Sequence, residues 1–490
     1  MKKTGGMCLA LAFLALSACT LRAPRARVEP PATPGPQRPA AESVRARGPL
    51  RVHPANPRYF TDDGVRAVYL TGSHTWPNLV DMGPGDPPAV FDFNAYLSWM
   101  KQYDHNFMRL WTWDNPLWDQ TRQPLARNKS VFRVAPLPWA RTGPGQALDG
   151  KPKFDLRKFD PEYFRRLRSR AEAAGAKGIY VAVMLFEGWS KHRMPDAFRT
   201  HPFHPGNNIN GINADLNSDG VGLETVTLQN PKVLQVQERY VREVIDTVND
   251  LDNVLYEIAN EAPGVSTAWQ YHLIEWVRQY EKGKPKQHPI GMTFQYSGGT
   301  NEALFRSPAD WISPNGEGGY TTDPPPADGA KVILSDTDHL GGLAGNQQWV
   351  WKSFLRGLNF IFMDPYDGAV LGNPFDAKWE PIRVAMGYVR RFASRLDLAT
   401  MRPRGELSST RYCLTDATAS RPDSARQYLV YLPDGGGATL NLSAAKGILA
   451  VEWFNPSTGT TTASPDVEAG REVEFRAPFS GDAVLHVWAR

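Results

Sequence analysis

The sequence predicts an α/β protein: a (β/α)8 barrel, or TIM barrel, followed by a small C-terminal antiparallel β-sandwich. Two patterns predict this fold class. From residue 50 to about residue 400, short apolar runs alternate with amphipathic helical patterns. This alternation is typical of a parallel sheet that is covered on both faces. From about residue 401, apolar and polar residues alternate at period two, which is typical of antiparallel strands.

Eight apolar runs are the predicted strands of the barrel. They cover residues 66–72, 106–113, 178–186, 253–260, 289–296, 310–315, 331–336 and 358–364. The clearest helical patterns cover residues 93–104, 161–175, 230–250, 266–283, 346–357 and 378–396. Eight strand–helix units over a region of this length fit a barrel. A doubly wound open sheet is the alternative that this pattern leaves open.

The C-terminal region, residues 401–490, has a different pattern. Its predicted strands cover residues 425–433, 438–443, 448–455, 471–478 and 483–490. Turn sequences such as Pro-Asp-Gly-Gly-Gly and Asn-Pro-Ser-Thr-Gly separate them. Short alternating strands between such turns predict a β-sandwich.

The N-terminus resembles a bacterial export signal. Two lysines precede an apolar stretch, residues 9–16, which is too short to cross a membrane. The stretch ends in Leu-Ser-Ala-Cys, which resembles a lipobox and implies that residues 1–19 are a lipoprotein signal peptide with an acylated Cys19. Thr20, in place of Asp, implies the outer membrane. A plain signal peptide with an incidental cysteine is the alternative.

Residues 20–49 are predicted to be a disordered linker, because they are rich in Pro, Ala and Arg and poor in apolar residues. They contain six Arg and two Glu, a net charge of +4, and Lys2 and Lys3 of the signal add two more positive charges. The net charge of these two segments is therefore larger than the +4 of the whole chain. Residues 50–490 are therefore slightly acidic, which argues against nucleic acid as a partner. Cys413 is the remaining cysteine outside the signal, so we expect no internal disulfide.

Polar and aromatic side chains concentrate at the ends of the predicted strands. Strand four ends in Ala-Asn-Glu at residues 259–261, and strand seven ends in Leu-Ser-Asp at residues 334–336. The candidates at the other strand ends are His74, Trp76, Arg109, Trp113, Asn315, Asp338, His339 and Tyr366. Active residues of a (β/α)8 barrel lie at these strand ends. Cleavage of a glycosidic bond needs a proton donor and a second carboxylate, and both are present here.

The Asn260-Glu261 pair at the end of the fourth strand resembles the signature of clan A glycoside hydrolases, the cellulase-like (β/α)8 barrels. The resemblance implies that Glu261 is the general acid/base, that Asn260 binds the sugar 2-hydroxyl, and that the second carboxylate ends strand seven. Arg109 resembles the arginine beside the nucleophile. Asp336 occupies the position at which the clan has Glu, so we predict it as nucleophile or base, with Asp338 as the alternative. Because Asp is shorter than Glu, retention and inversion both stay open.

A closer resemblance is to a bacterial apiosidase-like group that carries a C-terminal collagen-binding-like module. The stretches VEWFNPSTG (451–459) and APFSGDAVL (477–485) carry it. The resemblance implies a catalytic barrel at residues 50–400 and the module at residues 401–490. Nothing in these residues specifies collagen.

We therefore predict a monomeric glycoside hydrolase that is exported and lipid-anchored to the outer membrane, on its periplasmic side or at the cell surface. It would cleave a poly- or oligosaccharide and need no cofactor or catalytic metal. The side chains predicted to contact the substrate or to tune the carboxylates are Asn260, Arg109, His74, Trp76, Trp113, Asp338, His339, Asn315 and Tyr366. The competing prediction is a non-catalytic lipoprotein that binds a glycan or a matrix protein. A second carboxylate facing Glu261 would distinguish the two.

Two short motifs raise the question of metal binding. Asp215-x-Asn217-x-Asp219-Gly220 matches the first half of an EF-hand calcium loop, although the twelfth position is Val226 and the nearest acid is Glu224. Calcium binding there stays open. The Asp-x-Asp-His sequence at residues 336–339 could suggest a metallohydrolase, but the chain has no His-Glu-x-x-His motif and no second histidine cluster with zinc spacing.

Overall fold

The computed structural model of the chain describes residues 46–121, 127–194, 196–368, 371–417 and 425–490. The predicted signal peptide, its lipidation site Cys19 and the linker up to residue 45 lie outside the described residues. Within the described ranges, no helix is both long enough and apolar enough to span a membrane.

Eight parallel strands form the barrel. In chain order they are β1 (Gly72–His74), β2 (Phe107–Leu110), β3 (Tyr180–Glu187), β4 (Val254–Asn260), β5 (Ile290–Thr293), β6 (Trp311–Ser313), β7 (Val332–Asp336) and β8 (Asn359–Met363). Each strand from β2 to β8 is hydrogen-bonded to its neighbour in sequence, and β8 is paired with β1. The pairing of the last strand with the first excludes the open doubly wound sheet and confirms the predicted barrel.

Asn106 closes the remaining gap, between β1 and β2. Its backbone N–H donates to the Thr71 carbonyl at 2.9 Å, and its side-chain oxygen accepts the Thr71 N–H at 2.9 Å. Its side-chain amide also donates to the Tyr69 carbonyl at 2.8 Å. Gly72 permits this close approach, because a Cβ at that position would lie 2.2 Å from the Phe107 carbonyl oxygen. Hydrogen bonds of Asn106 therefore connect β1 and β2 in place of regular strand pairing.

Ten helices occur in the described residues, and the long ones cover the barrel. They are α1 (Phe93–Gln102), α2 (Pro161–Ala176), α3 (Ser190–Arg193), α4 (Ala197–Thr200), α5 (Pro231–Val248), α6 (Thr267–Glu281), α7 (Asn301–Arg306), α8 (Thr337–Gly341), α9 (Gln347–Leu355) and α10 (Glu380–Arg395). All six predicted helical patterns are confirmed. Asp160 and Asn230 cap α2 and α5 with their side chains, and each is followed by a proline, which favours a helix start.

Short strands outside the barrel lie at its two ends. Asp81–Gly83, Leu117–Asp119 and Val131–Ala135 form a three-stranded sheet, and Trp139–Gln146 pairs with Pro152–Phe159. Both lie in long βα connections, which lead away from the C-terminal ends of the strands. A small hairpin, Arg51–Val52 with Phe60–Thr61, precedes β1; its Phe60 packs with Phe107 and other residues of the strands.

The C-terminal region forms two antiparallel sheets. Its strands are β9 (Arg402–Pro403), β10 (Cys413–Thr415), β11 (Gln427–Leu432), β12 (Gly437–Asn441), β13 (Ile448–Asn455), β14 (Thr460–Glu468), β15 (Glu472–Arg476) and β16 (Ala483–Ala489). One sheet has the order β9-β10-β11-β16-β13-β14, and the other pairs β12 with β15. This arrangement confirms the predicted sandwich. Cys413 is buried there as a free thiol.

The barrel and the sandwich share an apolar core, and the sandwich has a second one between its own sheets. Trp351 of α9 lies 5.6 Å from Phe392 of α10, and 6.0 and 5.8 Å from Tyr431 of β11 and Phe454 of β13, measured between ring centroids. Tyr388 of α10 packs edge-on against Phe454 at 5.0 Å. Because buried aromatic rings contribute strongly to packing energy, this contact makes the sandwich an integral support of the barrel.

Candidate active site

Arg109 of β2 is the centre of a buried charge network in the mouth of the barrel. It is 1% exposed. Its guanidinium donates to both oxygens of Glu257 on β4, with Nε 2.8 Å from Oε2. Its Nη1 donates to Oδ2 of Asp336 and to Oδ2 of Asp338, each at 3.0 Å. A charge buried this deeply is tolerated only when it is paired, and these carboxylates pair it.

Asp336, the last residue of β7, has both oxygens occupied. Oδ1 accepts a hydrogen bond from His74 Nε2 at 2.9 Å and from the Asp338 N–H at 3.0 Å, and Oδ2 accepts from Arg109. The contact with the Asp338 N–H also caps α8. Burial alone would raise the pKa of Asp336, but His74 and Arg109 outweigh it and hold that pKa well below its usual range. Asp336 is therefore a fully buried, permanently ionised anchor.

His74 of β1, which donates a hydrogen bond to Asp336, is itself fully buried. The indole N–H of Trp111 donates to His74 Nδ1 at 2.8 Å. Since an indole N–H can only donate, Nδ1 accepts and Nε2 carries the hydrogen that Asp336 receives. The Trp111 ring also stacks on the imidazole at 5.7 Å, and the Arg109 guanidinium lies 5.1 Å above the Trp111 ring. His74 thus orients a carboxylate.

Asn260 and His339 form the next layer of the site. The Asn260 side-chain oxygen accepts from Arg109 Nη2 and from His339 Nε2, the latter at 3.0 Å. Because the Asn260 oxygen can only accept, Nε2 carries the hydrogen, and Nδ1 of the neutral ring accepts the Ser313 hydroxyl at 2.6 Å. Burial lowers the pKa of His339 well below its usual value, so the ring stays neutral. Within the described residues the Asn260 NH2 group has no hydrogen-bond acceptor, so it is available to a ligand.

Glu261 follows β4 with a left-handed backbone, at φ +47°, and is 6% exposed. One of its carboxylate oxygens lies within 4.8 Å of an Asp338 carboxylate oxygen and of a His339 ring nitrogen. Burial, and next the negative charge of Asp338, raise the pKa of Glu261 well above its usual value, while Arg109 opposes the shift. Glu261 therefore keeps its proton to a higher pH than an exposed glutamate would.

Asp338 is the partner of Glu261 in this pair. Its side chain is 8% exposed, and its described side-chain hydrogen bond is the one from Arg109. Burial raises the pKa of Asp338, and the guanidinium of Arg109 opposes that shift. Because Asp338 touches the guanidinium, the negative charge of the pair is best placed on Asp338 and the proton on Glu261.

Glu187, at the end of β3, is a further buried carboxylate that sequence reasoning gave no role. It accepts hydrogen bonds from the Ser190 N–H, at 2.8 Å, and from the Ser190 hydroxyl. Burial raises its pKa to about 7. Lys191 Nζ donates to the Glu187 carbonyl at 2.8 Å and to Asp114 at 2.6 Å. The position of Glu187 at a strand end was the signal that could have identified it.

Trp76 and Trp113, predicted to contact the substrate, lie deep in an aromatic cluster. They are 5% and 2% exposed, and their rings pack edge to face at 5.4 Å. Trp118 packs on both, at 5.4 and 4.4 Å, and Trp189 stacks on Trp118 at 5.2 Å. The two predicted residues therefore support the wall of the site instead of offering it a free ring face.

Asn315 and Tyr366 have local partners away from the carboxylate pair. The Asn315 side-chain oxygen accepts the Glu317 N–H at 3.2 Å, which stabilises a turn. Tyr366 packs against Tyr96 and Trp99, each at 4.9 Å. Phe294, which follows β5, was missed by sequence reasoning; it is half-buried and lies 6.1 Å from the ring of His339.

Glu261, Asp338 and His339 also have the residue types of a metal-ligand set. The imidazole does not fit that role in its present contacts. Nδ1 of His339 accepts from Ser313, and Nε2 donates to Asn260, so neither nitrogen directs a lone pair at the two carboxylates. The geometry suits proton transfer between carboxyl groups better than metal binding.

Comparisons with known proteins agree with this fold. Residues 104–297 match the model of a family described as a domain of unknown function (DUF6298), and residues 410–487 match the model of the "Putative collagen-binding domain of a collagenase". No curated protein matches the chain. A solved glycoside hydrolase of family 5 from Bacteroides vulgatus is similar with a TM-score of 0.60 and 13% identity, over 91% of this chain and 95% of that one.

A second solved structure, named as a glycoside hydrolase, is similar with a TM-score of 0.56 and 13% identity, over 90% of this chain and 97% of that one. At 13% identity the likeness to these two structures shows the fold alone. The resemblance predicted from the sequence is confirmed at this level, including the collagen-binding-like module at the C-terminus.

Proposed function

We propose that the chain is a glycoside hydrolase in which Glu261 is the general acid/base and Asp338 the nucleophile. The observation that carries this proposal is that carboxylate oxygens of the two residues lie within 4.8 Å of each other in the barrel mouth. Retaining glycosidases hold their carboxyl groups about 5–5.5 Å apart, whereas inverting enzymes leave about 6.5–9.5 Å for a water molecule. The short separation supports retention.

The same geometry favours Asp338 over Asp336 as the second carboxylate. Asp336 is fully buried and its two oxygens already accept three hydrogen bonds. Asp338 keeps an exposed edge, faces Glu261 and is held by Arg109. We assign Asp336 a positioning role: it caps α8 and so fixes the backbone that carries Asp338.

The proposed reaction has two steps. The Glu261 carboxyl group protonates the leaving oxygen while the Asp338 carboxylate attacks the anomeric carbon and forms a glycosyl ester. The Asp338 charge disappears in that ester, so the pKa of Glu261 falls and its carboxylate can deprotonate a water molecule. That water attacks the anomeric carbon, the ester bond breaks, and the Asp338 carboxylate leaves. The free NH2 group of Asn260 is positioned to donate to a sugar hydroxyl beside these groups.

A poly- or oligosaccharide is the proposed substrate, because the solved structures of similar fold are glycoside hydrolases. Acylation of Cys19, as the lipobox resemblance implies, would hold the enzyme on the outer membrane, where such glycans arrive.

The test is an activity screen of the full chain on aryl glycosides and polysaccharides, followed by two variants. Glu261→Gln and Asp338→Asn should each lower kcat/KM on the order of 10³-fold, while the far-UV spectrum stays unchanged. Glu302→Gln, on an exposed residue of α7 whose side chain is 66% exposed, is the matched control and should keep full activity.

Azide rescue assigns the roles. With an activated aryl glycoside, Glu261→Ala plus azide should yield a glycosyl azide of retained configuration, and Asp338→Gly plus azide one of inverted configuration. Full activity in either amide variant would overturn the assignment. If no glycan is cleaved but one is bound equally well by wild type and Glu261→Gln, the binding-protein alternative is correct.

A further inference from the structure

The proposed acid/base Glu261 begins a short loop, residues 261–266, between β4 and α6. Its φ of +47° is a left-handed conformation that a side chain disfavours, so it persists only where neighbouring residues hold it. On the β3 side, the Gly188 N–H donates to the Asn260 carbonyl at 2.8 Å, and a Cβ on Gly188 would lie 2.4 Å from the Ala262 Cα. The chain that follows β3 is therefore packed directly against the start of the loop.

Gln295, which lies just after β5, holds the other side of the loop and is 2% exposed. Its side-chain NH2 nitrogen lies 3.1 Å from Ser266 Oγ, 3.1 Å from Thr267 Oγ1 and 3.3 Å from the Pro263 carbonyl oxygen. Because a carbonyl oxygen can only accept, the NH2 end of the amide is the end that faces the loop. One buried side chain thus connects the end of β5 to three residues that follow Glu261.

The backbone that follows Gln295 makes a further contact with the same loop. The Gly264 N–H donates to the Ser297 carbonyl at 2.9 Å. Gly264 leaves no room for a side chain, because a Cβ there would lie 2.4 Å from the Gly298 carbonyl oxygen. The loop that begins with Glu261 and the loop that follows β5 are therefore packed backbone against backbone, with the Gln295 amide between them.

We infer that Gln295 is a positioning residue for Glu261. It holds the 261–266 loop so that residue 261 keeps its left-handed backbone and its carboxyl group stays within reach of Asp338. This inference rests on the proposed function of Glu261, and it gives Gln295 no contact with the substrate. A displacement of about 1 Å at a reacting group can lower a rate about 10²-fold, so the expected effect of losing this support is on kcat.

The first test compares Gln295→Met with the matched control Gln237→Met in the full chain. Gln237 of α5 is also 2% exposed, and its amide donates to the Thr225 carbonyl at 2.6 Å and accepts the Trp269 indole N–H at 3.0 Å. Each variant replaces a buried, hydrogen-bonded amide by a thioether of similar length, so both should lower the melting temperature. Gln295→Met should in addition lower kcat on an aryl glycoside at least about tenfold at nearly constant KM, and Gln237→Met should not.

The second test needs no substrate. Glu261→Gly removes a side chain from a left-handed position, so its melting temperature should exceed that of the wild type by on the order of 2 °C. If Gln295 holds residue 261 in this conformation, the same substitution should gain less than half as much in the Gln295→Met background, because the released loop relaxes by itself. Melting curves of the wild type, the two single variants and the double variant measure this.

Equal kcat values in Gln295→Met and Gln237→Met, or an equal gain from Glu261→Gly in both backgrounds, would overturn the inference. If the wild type cleaves no glycan, the proposed function fails, and the four melting curves still decide whether Gln295 holds residue 261. Should Gln295→Met not fold, Gly264→Ala takes its place in both tests, because the added Cβ would displace the loop from the Gly298 carbonyl oxygen.

Discussion

The barrel mouth and the sandwich bury their side chains in opposite ways. Around Arg109, the mouth encloses the carboxyl groups of Glu257 and Asp336, which pair with its guanidinium and have almost no exposure. Between its sheets the sandwich packs apolar side chains such as Leu440 and Trp453. Burying charge costs stability even when it is paired, whereas burying apolar surface provides it. The difference indicates that the mouth is organised for chemistry and that the sandwich, through its shared core, helps to stabilise it.

The largest expected effect comes from breaking the charge network. Arg109→Met would leave Glu257 and Asp336 buried without their cation, so it should lower the free energy of unfolding by about 3–5 kcal/mol. Urea unfolding at neutral pH measures this. Arg306→Met removes an exposed pair with Glu302, where the arginine side chain is 76% exposed, and should change stability by less than about 1 kcal/mol. Equal effects of the two substitutions would contradict the proposed contrast.

The shared core should give the next effect. Phe454 is 7% exposed and packs on Trp351, Phe392 and Tyr388. Phe454→Ala should cost about 3 kcal/mol and should destabilise the barrel together with the sandwich, because the cavity opens between them. Tryptophan fluorescence and far-UV dichroism should then report one shared, shifted transition. Separate transitions for the two regions would show that the interface does not couple them.

A smaller effect, dependent on pH, is expected from Glu187. Its pKa in the folded chain is raised to about 7 by burial, above the value of about 4.5 in the unfolded chain. The folded state therefore binds more protons, and this group's contribution to stability falls as pH rises from about 4.5 to 7. The glutamine of Glu187→Gln does not titrate, so the variant does not lose this stability. Between pH 4.5 and 7 its free energy of unfolding should therefore rise by about 2 kcal/mol relative to that of the wild type.

Urea unfolding of both proteins at pH 4.5, 6 and 8 measures the Glu187 effect. Glu302→Gln, at an exposed position, should show no such dependence. A stability difference between Glu187→Gln and wild type that is independent of pH would mean that Glu187 is ionised in the folded chain throughout this range.

The smallest expected effect concerns the rim. Phe294 is half-buried, and its ring lies 6.1 Å from that of His339 in the proposed site. If it stacks on a sugar, Phe294→Ala should raise KM by about fivefold, equivalent to about 1 kcal/mol, with little change in kcat. Phe294→Tyr should restore the wild-type KM. A fall in kcat at constant KM would place Phe294 in the transition-state contacts instead.

The fold could be predicted from the sequence because its signals are local. Continuous apolar runs marked the eight strands, and amphipathic patterns marked the six long helices. The polar strand β14 (Thr460–Glu468) was missed, since an exposed edge strand carries no alternating apolar pattern. The strands within the long loops of the barrel were also missed; one of them, Asp81–Gly83, pairs with Val131–Ala135, a segment distant in sequence.

The site could be predicted only in part. Strand ends identified Asn260, Glu261 and Arg109, because a parallel barrel brings all its strand ends to one face. The choice between Asp336 and Asp338 depends on which carboxylate is used up by internal hydrogen bonds, and no sequence pattern records that. The burial of a side chain at a strand end could not be predicted from the sequence either. Trp113 follows β2, where rim residues are expected, yet it is 2% exposed.

The left-handed backbone of Glu261 makes the proposed acid/base a residue that lowers the stability of the folded chain. A side chain at φ +47° costs about 1–2 kcal/mol that Gly or Asn would largely avoid. Selection of variants for heat resistance alone should therefore favour Gly or Asn at residue 261. An engineering campaign on this chain would need to exclude that position, because under the proposed mechanism a variant without Glu261 has no acid/base.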